Sequence, residues 1–99
     1  MKLGIGLGYS PRKLKVPMED ILFAEKMGFD SVWAAESYGS DAVSVASYVL
    51  AQTSKIKVGT AIMQMQARTP AMTAMTALSL NALSDNRFLL GLGPSGPQV

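Results

Sequence analysis

Strand-like and helix-like segments alternate along this chain, and their order restricts the possible folds more than any other feature. The strand-like runs lie at 2–7, 31–35, 56–60 and 87–92. Apolar residues with helical spacing lie between them, at 17–28, 41–51 and 69–83. Because the connections are short, consecutive strands are expected to be parallel and joined by helical crossovers. The order β-α-β-α-β-α-β predicts either an open doubly wound sheet or the first half of a β/α barrel.

Capping residues indicate where the helices begin. Pro17 is expected at the first position of the first helix, and Asp41 opens the second. Thr69 as N-cap and Pro70 as first residue open the third helix, which continues to about Leu83. Apolar residues almost encircle this third helix, so both of its faces are expected to be covered.

The composition restricts the possible chemistry. Apolar residues make up 48% of the 99 residues and charged residues 16%, which is more apolar surface than a monomer of this size readily hides. We therefore expect part of it to meet a partner, a second copy or further residues of a longer chain. The chain has no cysteine and no histidine, so disulfides, thiolate metal sites and cysteine nucleophiles are excluded, and no metal site is predicted.

Charge and hydropathy argue against nucleic acid and membrane as partners. The net charge is +2, and its densest source is the segment SPRKLKVP, which carries neither an aromatic platform nor a basic helix. No apolar run approaches the roughly 20 residues that a membrane span requires. Met1 leads directly into a strand pattern rather than into a signal peptide. These features predict a soluble, cytoplasmic protein.

Ligands of parallel α/β proteins bind at the carboxyl ends of the strands, where this chain carries its least core-like residues. The segment GLGPSG fits the spacing G-x-G-x-x-G, but it follows the fourth strand and opens no helix, unlike a dinucleotide fingerprint. Its glycines are better explained by close backbone approach to a ligand or by a tight turn.

Two charged residues at these strand ends have alternative interpretations. Glu36 is either an exposed loop acid or helix cap, or a hydrogen-bond partner or proton relay at a cofactor ring. Arg68 either binds an anionic ligand or pairs with an acid of the chain.

The chain resembles the N-terminal part of the luciferase-like monooxygenases, in particular their coenzyme F420-dependent oxidoreductases, over two segments: GFDSVWAAESYGSD and TSKIKVGTAIMQMQARTPAMTAMTALSLNALSDNRFLLGLGPSGPQV. The resemblance covers essentially all 99 residues and rests on long ordered stretches. It implies that residues 1–99 form a single partial domain, the N-terminal half of a TIM-type (β/α)8 barrel of ~250 residues or more.

The resemblance also implies a cofactor, either coenzyme F420 or, as the alternative, FMN, with its ring at the mouth of the barrel. The first strand would pass close under the ring. Related F420 enzymes often support the back of the ring with a non-proline cis peptide after the third strand, and the phosphate side lies near the loop after the fourth. The candidate cofactor-binding residues are Gly8, Thr60, Ala61, Ile62, Gln64, Pro94, Ser95 and Gly96.

The candidate catalytic residues are Glu36 and Ser37, at the end of the second strand. Well-studied F420 relatives usually carry an Asp-His pair at these positions, and the histidine serves in acid/base chemistry. Because the histidine is absent here, the resemblance leaves open which group protonates the substrate.

The resemblance predicts the N-terminal part of an F420-dependent oxidoreductase that transfers hydride between a deazaflavin and a small organic substrate. The alternative is a segment of an FMN-dependent luciferase-like monooxygenase. A third hypothesis is a non-catalytic half-barrel that forms a homo-oligomer through its open barrel face. Catalytic residues of barrel enzymes come from several strands, so the isolated chain is expected to be inactive.

Overall fold

The computed structural model describes residues 2–7, 15–36 and 40–94. The helices are α1 (Met18–Lys26), α2 (Ala42–Gln52) and α3 (Pro70–Leu83). The strands are β1 (Gly4–Leu7), β2 (Ser31–Ala34), β3 (Lys57–Thr60), β4 (Met63–Gln64), β5 (Phe88–Leu89) and β6 (Leu92–Gly93). Within these ranges, no helix combines the length and the apolar composition that crossing a membrane requires.

The main sheet has four parallel strands in the order β1-β2-β3-β5, so neighbours in sequence are neighbours in space. One apolar cluster joins this sheet to all three helices; it includes Ile21, Val32, Val45, Val49, Val58, Leu80 and Phe88. The helices therefore cover the same face of the sheet. A doubly wound sheet carries helices on both faces, so the arrangement is that of consecutive units of a β/α barrel.

The third helix begins as its capping residues predict, and the second begins one residue later than predicted, because Asp41 is its N-cap. Asp41 caps α2, where its carboxylate accepts a hydrogen bond from Ser44 N at 2.9 Å. Thr69 caps α3 in the same way, and Pro70 is the first helical residue. The first helix begins one residue later than predicted, because Pro17 occupies the N-cap position.

The prediction for the third and fourth strands was partly wrong. The third strand begins at Lys57, and the fourth is interrupted at Gly91, which separates β5 from β6. The Thr60 hydroxyl accepts a hydrogen bond from Gly91 N at 2.9 Å and donates one to Gly91 O at 2.8 Å. The backbone groups of Gly91 are thus bonded to a side chain, which ends the ladder with β3. The chain then pairs again as a small second sheet, β4 with β6.

The expectation that both faces of α3 are covered was also wrong for the described part of the chain. Only Thr73 and Leu80 are buried in this helix. Four large apolar side chains remain exposed on it, namely Met72, Met75, Leu78 and Leu83. The sheet covers one side of α3, and no described residue covers the other.

Charged side chains hold the connections at the amino-terminal edge of the sheet. Arg87 donates hydrogen bonds to backbone carbonyl oxygens of Leu50, Thr53 and Ile56, at 3.1, 3.2 and 2.9 Å. Glu25 Oε2 accepts from three successive backbone N–H groups at 54–56. Burial would raise the pKa of Glu25, but these three bonds and the Arg87 charge outweigh it and lower the pKa. These two residues tie α1, α2 and β5 to one loop.

Replacing Arg87 with methionine is expected to lower the free energy of unfolding by about 2–4 kcal/mol, because carbonyl groups at the end of α2 lose charged donors. Urea unfolding followed by circular dichroism measures this change. The control is Lys26→Met, which removes an exposed cation and is expected to change stability by less than about 0.5 kcal/mol. Equal losses in both variants would contradict the role assigned to Arg87.

Candidate functional site

Six of the ten candidate site residues lie in the described part of the chain, and all six follow or end strands at the carboxyl edge of the sheets: Glu36, Thr60, Ala61, Ile62, Gln64 and Pro94. The other four, Gly8, Ser37, Ser95 and Gly96, lie outside the described residues. The structure therefore brings together the residues after β2, between β3 and β4, and after β6.

A cis peptide bond between Ala61 and Ile62 connects β3 to β4. It lies in the segment where the family resemblance implies such a bond. Ala61 is exposed, and its backbone N–H donates to Ala34 O at 2.6 Å. The segment is therefore fixed to the end of β2 while presenting its backbone at the edge of the sheet.

Glu36 lies beside this segment and is only 8% exposed, so the interpretation as an exposed loop acid was wrong. Its Oε2 accepts from Ala42 N at 2.7 Å, the first residue of α2, and its Oε1 accepts from Gln64 N at 2.8 Å. Both oxygens also accept from the guanidinium group of Arg68, at 2.5 and 3.0 Å. The cap interpretation of Glu36 and the acid-pair interpretation of Arg68 are both confirmed.

The electrostatics of this pair favour the charged forms. Burial would raise the pKa of Glu36, but the hydrogen bonds from Arg68, Ala42 and Gln64 and the Arg68 charge together lower it. The pKa of Arg68 is raised by its hydrogen bond to Glu36, against burial, with support from the charges of Glu36 and Asp41. Each carboxylate oxygen already accepts two hydrogen bonds, so Glu36 is suited to holding backbone segments together rather than to moving a proton.

A second set of contacts fixes the same segment from the side of β6. A Cβ atom at Gly91 would overlap Thr60 O, and one at Gly93 would overlap the Ile62 side chain. At Gly91 the overlap is with a backbone atom, so only glycine fits there, whereas at Gly93 the Ile62 side chain would have to move. Sequence analysis explained the glycines of GLGPSG by close backbone approach to a ligand or by a tight turn, but it did not place Gly91 and Gly93 against Thr60 and Ile62. Their alternation in LLGLG was the available signal, because it places both on one face of a strand.

An apolar cavity of about 290 Å³ adjoins the pair on the side of α3, and it is lined by Met65, Arg68, Pro70, Thr73, Ala74, Leu90 and Leu92. None of the candidate cofactor-binding residues lines it. We therefore place the functional site at the carboxyl edge, where the candidate residues converge, and not in this cavity.

Glu36→Gln is expected to lower the free energy of unfolding near neutral pH by about 2–4 kcal/mol, because Arg68 loses its charged partner. The folded-state pKa of Glu36 lies below its ordinary value of 4.5, so its contribution is complete above that value. It is lost as the pH falls towards the folded-state pKa, and the difference from wild type should shrink. Urea unfolding at several pH values measures both effects.

The matched control for this prediction is Glu19→Gln, which makes the same chemical change at an exposed position of α1. We expect it to alter stability by less than about 0.5 kcal/mol. A Glu36→Gln difference that is independent of pH would show that the charge of Glu36 does not carry the interaction.

The family model described as luciferase-like monooxygenase matches residues 4–99 of this chain. A relative from Mycobacterium tuberculosis, whose name assigns it provisionally to the coenzyme F420-dependent oxidoreductases, is 45% identical over 100 residues. That alignment covers 100% of this chain and 29% of the relative.

Two solved structures share the fold. The coenzyme F420-dependent tetrahydromethanopterin reductase from Methanopyrus kandleri superposes with a TM-score of 0.83 at 29% identity, covering 98% of this chain and 28% of that one. The oxygenating constituent of 3,6-diketocamphane monooxygenase from Pseudomonas putida, solved with FMN, gives 0.79 at 20% identity, covering 99% and 31%. At 20% identity, the similarity to the Pseudomonas putida protein shows only a shared fold.

These comparisons confirm the predicted fold class, because the structural neighbours are TIM barrels of luciferase-like enzymes. The chain spans less than a third of the length of each relative described here. It therefore corresponds to a fragment of such a barrel. The match over residues 4–99 shows that the chain belongs to the luciferase-like monooxygenase family.

Proposed function

We propose that this chain forms part of the cofactor site of a coenzyme F420-dependent oxidoreductase that acts on a small organic substrate. The observation that carries the proposal is that Glu36 and Arg68 hold the segments after β2 and β3 together at the carboxyl edge, where barrel enzymes bind ligands. The F420-dependent names of the relative and of the Methanopyrus reductase support the choice of cofactor.

The described residues fit a flat ring system at this edge. Ala61 is exposed and Ala35 is half-buried, so only methyl groups project from these two positions after β3 and β2. The backbone at 61–64 is held by Ala34, Glu36 and Gly91 and does not need to reorganise to support a ligand. When bound, a deazaflavin would supply the hydride chemistry.

In this proposal Glu36 and Arg68 are positioning residues. They fix the cis-peptide segment against the start of α2, and Thr60 fixes it against Gly91. The roles of Gly8, Ser37, Ser95 and Gly96 remain proposals from the family resemblance alone. Because the lone pairs of Glu36 are already used, a proton for the substrate has to come from another group of the complete site.

The FMN-dependent monooxygenase alternative is supported by the structural likeness to a protein solved with FMN. Both cofactors carry a flat tricyclic ring, so the shape of the described edge accommodates either. Comparison of the affinities of the chain for the two ligands is therefore the measurement that separates the alternatives.

Equilibrium dialysis of the chain against F420 and against FMN tests the proposal. We expect F420 to bind about tenfold more tightly than FMN, and we expect no turnover by the isolated chain, because half of the barrel strands are absent. Arg68→Met should weaken F420 binding by loosening the cis-peptide segment. Tighter binding of FMN would favour the monooxygenase alternative, and binding of neither ligand would contradict a cofactor site in this chain.

Self-association is a second proposed property, and the exposed edges of the sheet favour it. Within the described residues, β1 and β5 each pair with only one neighbour. Leu3 precedes β1 and is 47% exposed, and Leu90 follows β5 and is 42% exposed. Two copies would supply the eight strands of a closed barrel if β5 of each copy paired with β1 of the other.

Size exclusion with light scattering is expected to show a dimer of this chain. Leu90→Glu should convert it to a monomer, because a charge at the β5 edge opposes pairing. Leu78→Glu, on the outer side of α3, is the matched control and should leave the dimer intact. A wild-type monomer, or equal effects of both variants, would exclude pairing through the sheet edges.

A further inference from the structure

Trp33 lies on the face of the sheet that the helices leave uncovered. Its neighbours in β2, Val32 and Ala34, belong to the apolar cluster with the helices, and side chains alternate between the two faces of a strand. Trp33 is half-buried and stands in register with Gly6 of β1 and Gly59 of β3. The indole therefore lies on the face that would line the interior of a complete barrel, between Gly6 and Gly59, which have no side chains.

The indole lies across the sheet rather than upright on it. A Cβ at Gly59 would come within 2.5 Å of Trp33 Cζ3, and a Cβ at Gly4 within 3.2 Å of Nε1. The ring therefore lies over β1 and β3 at the level where Cβ atoms of Gly4 and Gly59 would be. Nε1 donates to Ser31 Oγ at 2.8 Å, which fixes the ring in this orientation. One face of the ring covers β1, β2 and β3, and the opposite face is turned to the interior.

The space beside this ring is open on the side of the candidate site. A Cβ at Gly6 would meet no atom within 4 Å. Two residues beyond Trp33 and Gly59, the chain carries Ala35 and Ala61, whose side chains are single methyl groups. These positions of the strands therefore place no large side chain beside the indole on the side of the cis-peptide segment.

We propose that Trp33 is the floor of the ring-binding cavity and offers its free face to a planar aromatic ligand. The inference rests on the proposed function, since the ligand would be the tricyclic ring of that cofactor. Aromatic faces stack on flat ring systems, and pockets for such ligands are lined mainly by apolar groups. The glycines at positions 4 and 59 let the indole lie flat, and the glycine at position 6 leaves the space beside it free of a side chain.

A purely structural role for Trp33 gives different expectations. If the indole only filled the barrel interior, a methyl group at position 6 would occupy free space and would not affect ligand binding. If the indole is the floor of a ring cavity, the same methyl group takes space that the ring needs. Gly6→Ala therefore separates the two roles without removing the tryptophan.

The test measures FMN and F420 affinity by equilibrium dialysis for the wild-type chain and four variants, with thermal unfolding of each to confirm folding. Trp33→Phe keeps an aromatic face and should bind within about threefold of wild type, whereas Trp33→Leu should bind at least about fivefold more weakly. Gly6→Ala should unfold like wild type but bind more weakly. Tyr48→Leu, the same type of change at an exposed position of α2, should bind like wild type.

The outcomes distinguish this inference from the proposed function. If the wild-type chain binds and the affinities of Trp33→Leu and Gly6→Ala are unchanged, the role proposed for Trp33 is wrong and the proposed function is unaffected. Equal weakening in Trp33→Phe and Trp33→Leu would show that volume, not an aromatic face, matters, and would also overturn it. Failure of the wild-type chain to bind either ring would overturn both.

Discussion

The carboxylate of Glu36 joins the end of β2 to three other groups of the chain, and the geometry of the candidate site depends on it. Through its two oxygens it holds the first residue of α2, the backbone of β4 and the guanidinium group of Arg68. These groups belong to segments up to 32 residues away in sequence. Without this charge, the cis-peptide segment would lose its anchor to α2, and Arg68 would be left without its closest partner.

Charged side chains contact α2 at both of its ends. α2 has no acidic residue in its first turn and no basic residue in its last turn. The carboxylates of Glu36 and of the N-cap Asp41 supply negative charge at the amino end, and Arg87 supplies positive charge at the carbonyl groups of the last turn. Both signs are favourable for the helix dipole. Glu36 and Arg87, which lie outside α2, thus stabilise its two ends. These contacts and the packing of α2 on the sheet favour the same orientation of the helix.

The two faces of the sheet serve different purposes. The helix side is a continuous apolar core, whereas the other side carries few large side chains, and Trp33 lies flat over its glycines. A core needs interdigitating volume, but a ligand cavity needs a rigid wall and empty space. The small residues on the second face therefore support the proposal that this fragment contributes a ring site, and the open sheet edges explain why further strands or a second copy are required to enclose it.

Several features were determined by the sequence alone, because they depend on local periodicity and capping. The alternation of strand and helix patterns fixed the parallel connections, and Thr69 with Pro70 fixed the start of α3. The family resemblance implied a cis peptide in the segment of Thr60, Ala61 and Ile62, and the structure has one between Ala61 and Ile62. The strand, helix and capping signals each lie within a few consecutive residues, whereas the resemblance rests on long stretches of the sequence.

Other features were decided only by the tertiary structure. The sheet face covered by the helices, the pairing of Glu36 with Arg68 and the interruption at Gly91 all depend on segments that are distant in sequence. In the sequence alone, Glu36 is equally compatible with an exposed acid and with a buried residue that binds backbone N–H groups. Its role is set by which backbone N–H groups and cations the strand register brings within hydrogen-bond distance, and that register exists only in the folded chain.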